Sequence, residues 1–205
     1  MKGIIFDVDG TLWDSTKEVA ASWNQAIREQ SQINKVITVE ELKRQFGKPT
    51  PQIMKELFPD LPAGERDRLS EQLYLYENKW VETAPCIVYE KVHETIQKLS
   101  ESYPLFIVSN CQSGYIEAFL KNTKLGQYIK DFTCHGDTGK PKGDNIRILM
   151  ERNDIKEAVY VGDTQGDADA ARAAGVPMIY AAYGFGQLEN ECVTIDAFDE
   201  LLDLV

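Results

Sequence analysis

Short apolar runs alternate with helical stretches along most of this 205-residue chain, and this alternation restricts the possible folds more than any other feature. The runs lie at residues 3–6, 104–108, 129–134, 158–161 and 177–181. Helical patterns lie at residues 89–101, 113–121, 144–152 and 167–174, and a last short strand and helix are predicted near residue 193 and at 197–204. Strands that alternate with helices at this spacing predict a parallel sheet covered on both faces, which is a doubly wound, Rossmann-like α/β fold.

The stretch between Asp14 and Thr83 departs from this pattern, because it carries helical signals and no convincing strand. The signals are a possible cap at Ser15 or Thr16, a capping-box pattern over residues 38–41, a helix start at Pro51, and a charged helix over residues 64–81 with Leu69, Leu73, Tyr76 and Trp80 on one face. We therefore expect an all-helical domain of residues 15–83 inserted into an α/β core of residues 1–14 and 84–205.

Composition restricts the classes of binding partner and the cellular compartment that fit this chain. The formal net charge of −11 argues against nucleic acid or an anionic membrane as the main partner. No apolar run approaches the roughly 20 residues that a membrane-spanning helix needs. The sequence begins with a strand rather than with the features of an export signal, and its four cysteines form no C-x-x-C pair. These features favour a cytoplasmic protein with free thiols.

Polar residues with useful chemistry follow the predicted strands. They are Asp7 and Asp9, Ser109 and Asn110, Asp163 and Asp167, and, ahead of the helix at residue 144, Lys140 and Lys142. Ligand sites in such sheets lie beyond the carboxyl ends of the strands, so we expect these residues to meet at one edge. Several carboxylates at one edge require a cation, and oxygen ligands in this number suit Mg²⁺. A lysine and a hydroxyl suit a phosphoryl group. The sequence therefore predicts a magnesium-dependent phosphoryl-transfer site.

The order of these motifs resembles the haloacid dehalogenase superfamily. The motifs are Asp-Val-Asp-Gly-Thr at residues 7–11, Ser109-Asn110, a lysine before a helix, and Gly-Asp-Thr-Gln-Gly-Asp at residues 162–167. The helical insertion resembles the cap of the phosphoglycolate phosphatase-like branch, and the resemblance extends from residue 1 to about residue 183. Motifs of this kind are weak singly and specific in this order. The resemblance implies a phosphatase that acts on a small phosphate monoester, either phosphoglycolate-like or a sugar phosphate.

The resemblance also implies a role for each acid. Asp7 would be the nucleophile that forms an aspartyl-phosphate, and Asp9 would be the general acid and then the general base. Mg²⁺ would be held by Asp163, Asp7 and the backbone carbonyl of Asp9. Asp167 would either bind the metal or orient the groups that do.

The phosphoryl oxygens would be bound by hydrogen-bond donors and one lysine. The donors would be Ser109, the backbone N–H of Asn110 and the turn at Asp9 and Gly10, where glycine lets the backbone approach closely. Both Lys140 and Lys142 are candidates for the lysine. Lys142 is favoured because it lies nearer the helix N-terminus, where anions are already stabilised.

Alternatives remain at this point. In the superfamily that the sequence resembles, members that cleave carbon–halogen or carbon–phosphorus bonds lack an acid at the position of Asp9, so Asp9 implies a phosphatase or a phosphomutase. Sugar phosphomutases of this branch typically carry a histidine after the first motif, and the absence of histidine from residues 17–23 therefore favours the phosphatase. A non-catalytic signalling module phosphorylated on aspartate would need neither Asp9 nor the insertion. Lys48 or Thr50, in the turn at residues 46–50, either contacts the organic part of the substrate or belongs to a plain helix-ending turn. The expected partner is a small phosphorylated metabolite, and the expected assembly is a monomer or a homodimer.

Overall fold

The computed structural model describes residues 2–205. Its strands are β1 (Lys2–Phe6), β2 (Trp13–Asp14), β3 (Ile87–Val88), β4 (Leu105–Ser109), β5 (Ile129–Cys134), β6 (Glu157–Gly162), β7 (Met178–Ala181) and β8 (Val193–Ile195). Its α-helices are α1 (Thr16–Gln30), α2 (Val39–Lys43), α3 (Thr50–Leu57), α4 (Ala63–Val81), α5 (Val92–Ser100), α6 (Tyr115–Thr123), α7 (His135–Thr138), α8 (Lys142–Arg152) and α9 (Gln165–Ala174). Short 3-10 helices cover Leu125–Gln127 and Phe198–Asp203.

A six-stranded parallel sheet with the order β5-β4-β1-β6-β7-β8 forms the centre of the molecule. Strand β1 pairs with β4 on one side and with β6 on the other, so that Ile5 lies opposite both Phe106 and Tyr160. From β5 the chain crosses to β6 on the far side of β1, which brings the carboxyl ends of β1, β4 and β6 side by side. The predicted doubly wound α/β fold is confirmed.

Each face of the sheet is buried in its own apolar cluster, because successive residues of a strand point to opposite sides. In β1, Ile4 and Phe6 pack on one face, where the Phe6 ring contacts Phe198. Ile5 packs on the other face with Ile146 of α8. All five residues of β4 are buried, as expected for a strand covered by helices on both sides. The three central strands are therefore a rigid base for the groups at their carboxyl ends.

Helices α1 to α4 all lie between β2 and β3 in the chain. Helix α1 packs against α4, with Trp23 and Leu73 in one apolar cluster. Strands β2 and β3 form an antiparallel two-stranded ribbon in which Trp13 pairs with Val88 and Asp14 pairs with Ile87. The chain therefore enters the four-helix segment and leaves it at adjacent points, on the paired strands β2 and β3. The sequence did not predict this ribbon, because two-residue strands are too short to show a period.

Three local expectations were wrong. Ser15 occupies the position before α1, but its side chain makes no capping hydrogen bond. The last segment, Phe198–Asp203, is a 3-10 helix rather than an α-helix. In α4 the buried positions are Leu69, Leu73, Glu77 and Val81, so an acid lies among the inward positions, whereas Tyr76 and Trp80 are only half-buried.

No helix within residues 2–205 has both the length and the apolar character that crossing a membrane requires.

Candidate active site

The carboxyl ends of β1, β4 and β6 bring the predicted site residues together. Asp7 and Asp9 follow β1, Ser109 ends β4, and Asp163 follows β6. Lys142 is the first residue of α8, and Asp167 lies in the first turn of α9. All of these side chains are buried. The cluster forms because three buried parallel strands end at the same edge and two helices begin there.

A buried lysine joins two of the acids. The Lys142 Nζ donates to Oδ1 of Asp7 at 2.9 Å and to Oδ1 of Asp167 at 2.6 Å. Burial alone would lower the pKa of Lys142, but the carboxylates of Asp167 and Asp7 outweigh burial and raise this pKa. Lys142 therefore stays charged and orients Asp7. Lys140, the alternative lysine, is exposed.

Three carboxylates lie close enough to share one ion. Asp7, Asp163 and Asp167 each offer an oxygen that lies within 4.8 Å of those of the other two. Burial raises the pKa of Asp7 to about 7, and burial together with the charges of Asp167 and Asp7 raises the pKa of Asp163. Such a crowded group of acids is stable in its ionised form only when a cation compensates it. Hard oxygen donors on one side of a pocket fit Mg²⁺.

The hydrogen bonds of Asp167 distinguish it from the other two acids. Its Oδ1 accepts from Lys142 and from the Tyr160 hydroxyl at 3.2 Å, and its Oδ2 accepts from the backbone N–H and hydroxyl of Thr164 at 3.0 and 2.6 Å. Both oxygens are already engaged, so Asp167 is suited to hold Lys142 in place. Asp163 is less constrained, because it accepts only from the Thr11 hydroxyl at 3.3 Å and the Phe185 N–H at 2.8 Å among residues 2–205.

Asp9 lies in a different environment from the cluster of Asp7, Asp163 and Asp167. Its Oδ1 accepts three hydrogen bonds, from the Trp13 indole at 2.9 Å, the Ser15 hydroxyl at 2.7 Å and the Tyr115 hydroxyl at 2.7 Å. Burial raises the pKa of Asp9 to about 6, although these donors oppose the shift. A carboxyl with such a pKa can carry a proton at one stage of a reaction and accept one at another stage.

Gly10 is required by both its backbone and its surroundings. Its φ is +86°, and a Cβ at this position would lie 2.1 Å from Oδ2 of Asp163. We expect Gly10→Ala to lower the free energy of unfolding by about 1–3 kcal/mol, because the backbone is strained and Asp163 must move. Urea unfolding measures this loss.

Gly64→Ala is the matched control for that variant. Gly64 lies in α4, and a Cβ there would meet nothing within 4 Å. Gly64 is the second residue of α4, and we expect alanine there to raise the free energy of unfolding by roughly 0.4–1 kcal/mol, because it restricts the unfolded chain. A Gly10→Ala protein as stable as the unmodified chain would contradict the described approach to Asp163.

A small cavity, partly open to solvent, lies over the acids. Its volume is about 30 Å³, close to that of one water molecule. The sheet side is lined by Asp7, Asp9, Ser109 and Asn110, and the helical side includes Lys48, Thr50 and Glu77. The Asn110 Nδ2 donates to the Gly47 carbonyl at 2.8 Å, so the turn at residues 46–50 is bound directly to the sheet edge. Lys48 and Thr50 thus lie where a substrate contact was predicted, and that contact stays a prediction.

Sequence reasoning missed several residues of this site. Ser15, Trp13 and Tyr115 were not identified as donors to Asp9, and no pattern links a tyrosine to an acid 106 residues away. Glu77 was missed as well, although it left a signal. Leu69, Leu73 and Val81 repeat at intervals of four or eight, and an acid stands at the position where this spacing calls for an apolar residue.

Comparison with known proteins identifies the family. The model of the haloacid dehalogenase-like hydrolase family matches residues 4–181. The chain belongs to this family, which confirms the resemblance and the predicted class of enzyme, a hydrolase.

Individual relatives agree with the predicted branch. A phosphoglycolate phosphatase from Vibrio parahaemolyticus is 27% identical over 227 residues, which cover 100% of this chain and 96% of the relative. Another from Pseudomonas savastanoi pv. phaseolicola is 26% identical over 216 residues, with 98% and 78% covered. The crystal structure of a predicted phosphatase from Clostridium acetobutylicum superposes with a TM-score of 0.83 at 23% identity and covers 99% of this chain and 97% of that one. The structural likeness supports the fold.

Proposed function

We propose that this hydrolase is a magnesium-dependent phosphatase that acts on a small phosphate monoester, phosphoglycolate-like or a sugar phosphate, through an aspartyl-phosphate on Asp7. The observation that carries the proposal is the buried group of Asp7, Asp163 and Asp167 with Lys142 between two of them. Mg²⁺ would be held by Asp7, Asp163 and the backbone carbonyl of Asp9, and when bound it would neutralise the charge of the phosphoryl oxygens.

The chain's own groups suffice for the proton transfers. Lys142 occupies Oδ1 of Asp7 and leaves Oδ2 without a protein donor among residues 2–205, so Oδ2 is the atom that attacks phosphorus. Asp9 gives its proton to the departing alkoxide as the ester P–O bond breaks. Asp9 then takes a proton from water, which attacks phosphorus and releases phosphate from Asp7. Ser109 donates to a phosphoryl oxygen, and the charge of Lys142 favours the anion.

We further propose that residues 15–83 act as a cap over a core of residues 1–14 and 84–205. Both parts line the cavity, and the contact between Gly47 and Asn110 holds them together. Because the cavity between the two parts has a volume of only about 30 Å³, we expect the cap to move away for substrate to enter and to close again before reaction. Closure would keep bulk water from the aspartyl-phosphate until the alcohol has left.

The proposal is tested with p-nitrophenyl phosphate and a panel of phosphorylated metabolites, with release of free phosphate as the readout. We expect turnover with Mg²⁺, at least about a hundredfold loss in excess EDTA, and recovery when Mg²⁺ is added back. Turnover that EDTA leaves unchanged would contradict the metal dependence. A chain that becomes phosphorylated but releases no phosphate would contradict the phosphatase and favour a signalling module.

A further inference from the structure

Glu77 is a buried acid that the reaction proposed above does not use. It lies in α4, is only 5% exposed, and lines the same cavity as Asp7 and Asp9. The Trp23 indole donates to its Oε2 at 2.5 Å, and the Gln112 amide lies near enough to interact with it. The carboxyl is therefore held in one orientation on the cap side of the cavity, across from the acids of the sheet.

Packing does not account for an acid at this position. The neighbouring inward positions of α4 hold Leu69, Leu73 and Val81, all buried in the apolar cluster. Burial opposes the charge of Glu77 and raises its pKa to about 8. A buried carboxyl costs stability that an apolar side chain at the same position would not cost. A ligand that enters the cavity and hydrogen-bonds to the carboxyl would offset that cost.

The cavity offers acceptors and lacks free cations on its cap side. Oδ1 of Asn110 is a buried acceptor with no hydrogen-bond partner among residues 2–205, and Asn110 lines the same cavity. Lys48 is the cation on the cap side, but its Nζ donates to Glu56 at 2.6 Å and to Gln45 at 3.0 Å. A ligand group that donates hydrogen bonds fits these surroundings, and a second anion does not.

We propose that Glu77 determines substrate specificity by contacting the leaving group of the phosphate ester. It selects esters whose leaving group carries a hydroxyl or an ammonium, and it disfavours those that carry a carboxylate or a second phosphate. A hydroxyl can pair with the carboxyl in either protonation state, and an ammonium stabilises its charged form. A carboxylate can bind only a protonated Glu77, and it leaves the Asn110 acceptor without a donor.

This inference rests on the proposed phosphatase activity and makes it more specific. The leaving group of 2-phosphoglycolate carries a carboxylate, so the inference separates this chain from relatives that bear the name phosphoglycolate phosphatase. Among the substrates proposed above, it favours sugar phosphates.

Three esters of equal length test the proposal: 2-phosphoglycolate, 2-hydroxyethyl phosphate and O-phosphoethanolamine. They share the phosphate and the first carbon, and their second carbon is either the carboxylate carbon or a methylene that carries the hydroxyl or the ammonium. At pH 8.5, where Glu77 with its pKa of about 8 is mostly charged, we expect kcat/KM of the wild-type enzyme with Mg²⁺ to be at least about tenfold higher for the hydroxyl and ammonium esters than for the carboxylate ester. Glu77→Gln keeps the size and removes the charge at this pH, so we expect it to reduce the ratio of ammonium to carboxylate ester at least about tenfold.

Glu65→Gln is the control, because Glu65 is exposed in the first turn of the same helix, and it should keep the wild-type ratios. A wild-type enzyme that prefers 2-phosphoglycolate overturns the inference, and this measurement does not depend on whether the variant folds. A folded Glu77→Gln enzyme with ratios within twofold of the wild type overturns it as well. If the wild-type enzyme releases phosphate from none of these esters nor from p-nitrophenyl phosphate, the proposed function fails, and the inference fails with it.

Discussion

Asp7→Asn is expected to lower kcat for phosphate release at least about a thousandfold, which corresponds to about 4 kcal/mol of activation free energy. The amide that replaces the carboxylate has no charged oxygen to attack phosphorus, so no aspartyl-phosphate can form. The fold should survive, because the amide oxygen can still accept from Lys142. Burial raises the pKa of Asp7, so a neutral group there also relieves repulsion with Asp167 and Asp9. In EDTA the unfolding midpoint should therefore be unchanged or higher.

Two measurements check this expectation. Steady-state phosphate release gives kcat, and the mass of the intact protein after an acid quench shows whether a phosphoryl group is attached. The wild-type chain should gain the mass of one phosphoryl group, and Asp7→Asn should not. Asp60→Asn, an exposed aspartate on the cap, controls for loss of one charge and should behave as wild type. Turnover of Asp7→Asn within tenfold of the wild type would remove Asp7 from the role of nucleophile.

Lys142→Met is expected to lower the free energy of unfolding by about 3–5 kcal/mol, because it leaves the buried carboxylates of Asp7 and Asp167 without their cation. Methionine fills a similar volume, so the lost charge pair dominates the loss. Without Lys142, which lowers it, the pKa of Asp7 in the folded state will rise further above its unfolded value. The loss is therefore largest at neutral pH and shrinks as the pH falls towards the unfolded value of about 4.

Urea unfolding at pH 5 and pH 7.5 in EDTA tests this prediction, with Lys140→Met as its partner. Lys140 precedes the same helix but is exposed, so we expect its loss to change stability by no more than about 0.5 kcal/mol. Phosphatase activity should fall at least about a hundredfold in Lys142→Met and stay near wild type in Lys140→Met. If the two variants lost equal activity and stability, Lys140 would remain a candidate for the phosphate-binding lysine. Such a result would also contradict the buried ion pairs of Lys142 with Asp7 and Asp167.

The sequence predicted both the fold and the site residues at the carboxyl ends of the strands, and it did so for the same physical reason. A parallel sheet places the ends of its strands together, so Asp7, Ser109 and Asp163 could be grouped although about 150 residues separate the first from the last. The short apolar runs before them are strong signals, because strands covered on both faces must be apolar throughout.

The parts that sequence reasoning missed depend on how separate elements pack. Tyr115 reaches Asp9 because α6 happens to lie beside β2, and no periodicity within α6 indicates this contact. Ser15 was one of two candidates for a helix cap, together with Thr16, since capping is the common local use of such residues, but the Ser15 hydroxyl donates to Asp9 instead. Glu77 interrupts an apolar stripe, but its position at the cavity depends on how α4 packs over the sheet edge and cannot be deduced from the stripe.

The ribbon of β2 and β3 has a consequence for how such enzymes evolve. Because the chain departs and returns at paired residues, Trp13 with Val88 and Asp14 with Ile87, the helices between them can lengthen, drift or be exchanged while the sheet edge keeps its geometry. Under the proposed function, the groups that act at phosphorus and the groups that would select the ester lie in separate stretches of the chain. A change of substrate would then need mutations in one stretch and none in the other.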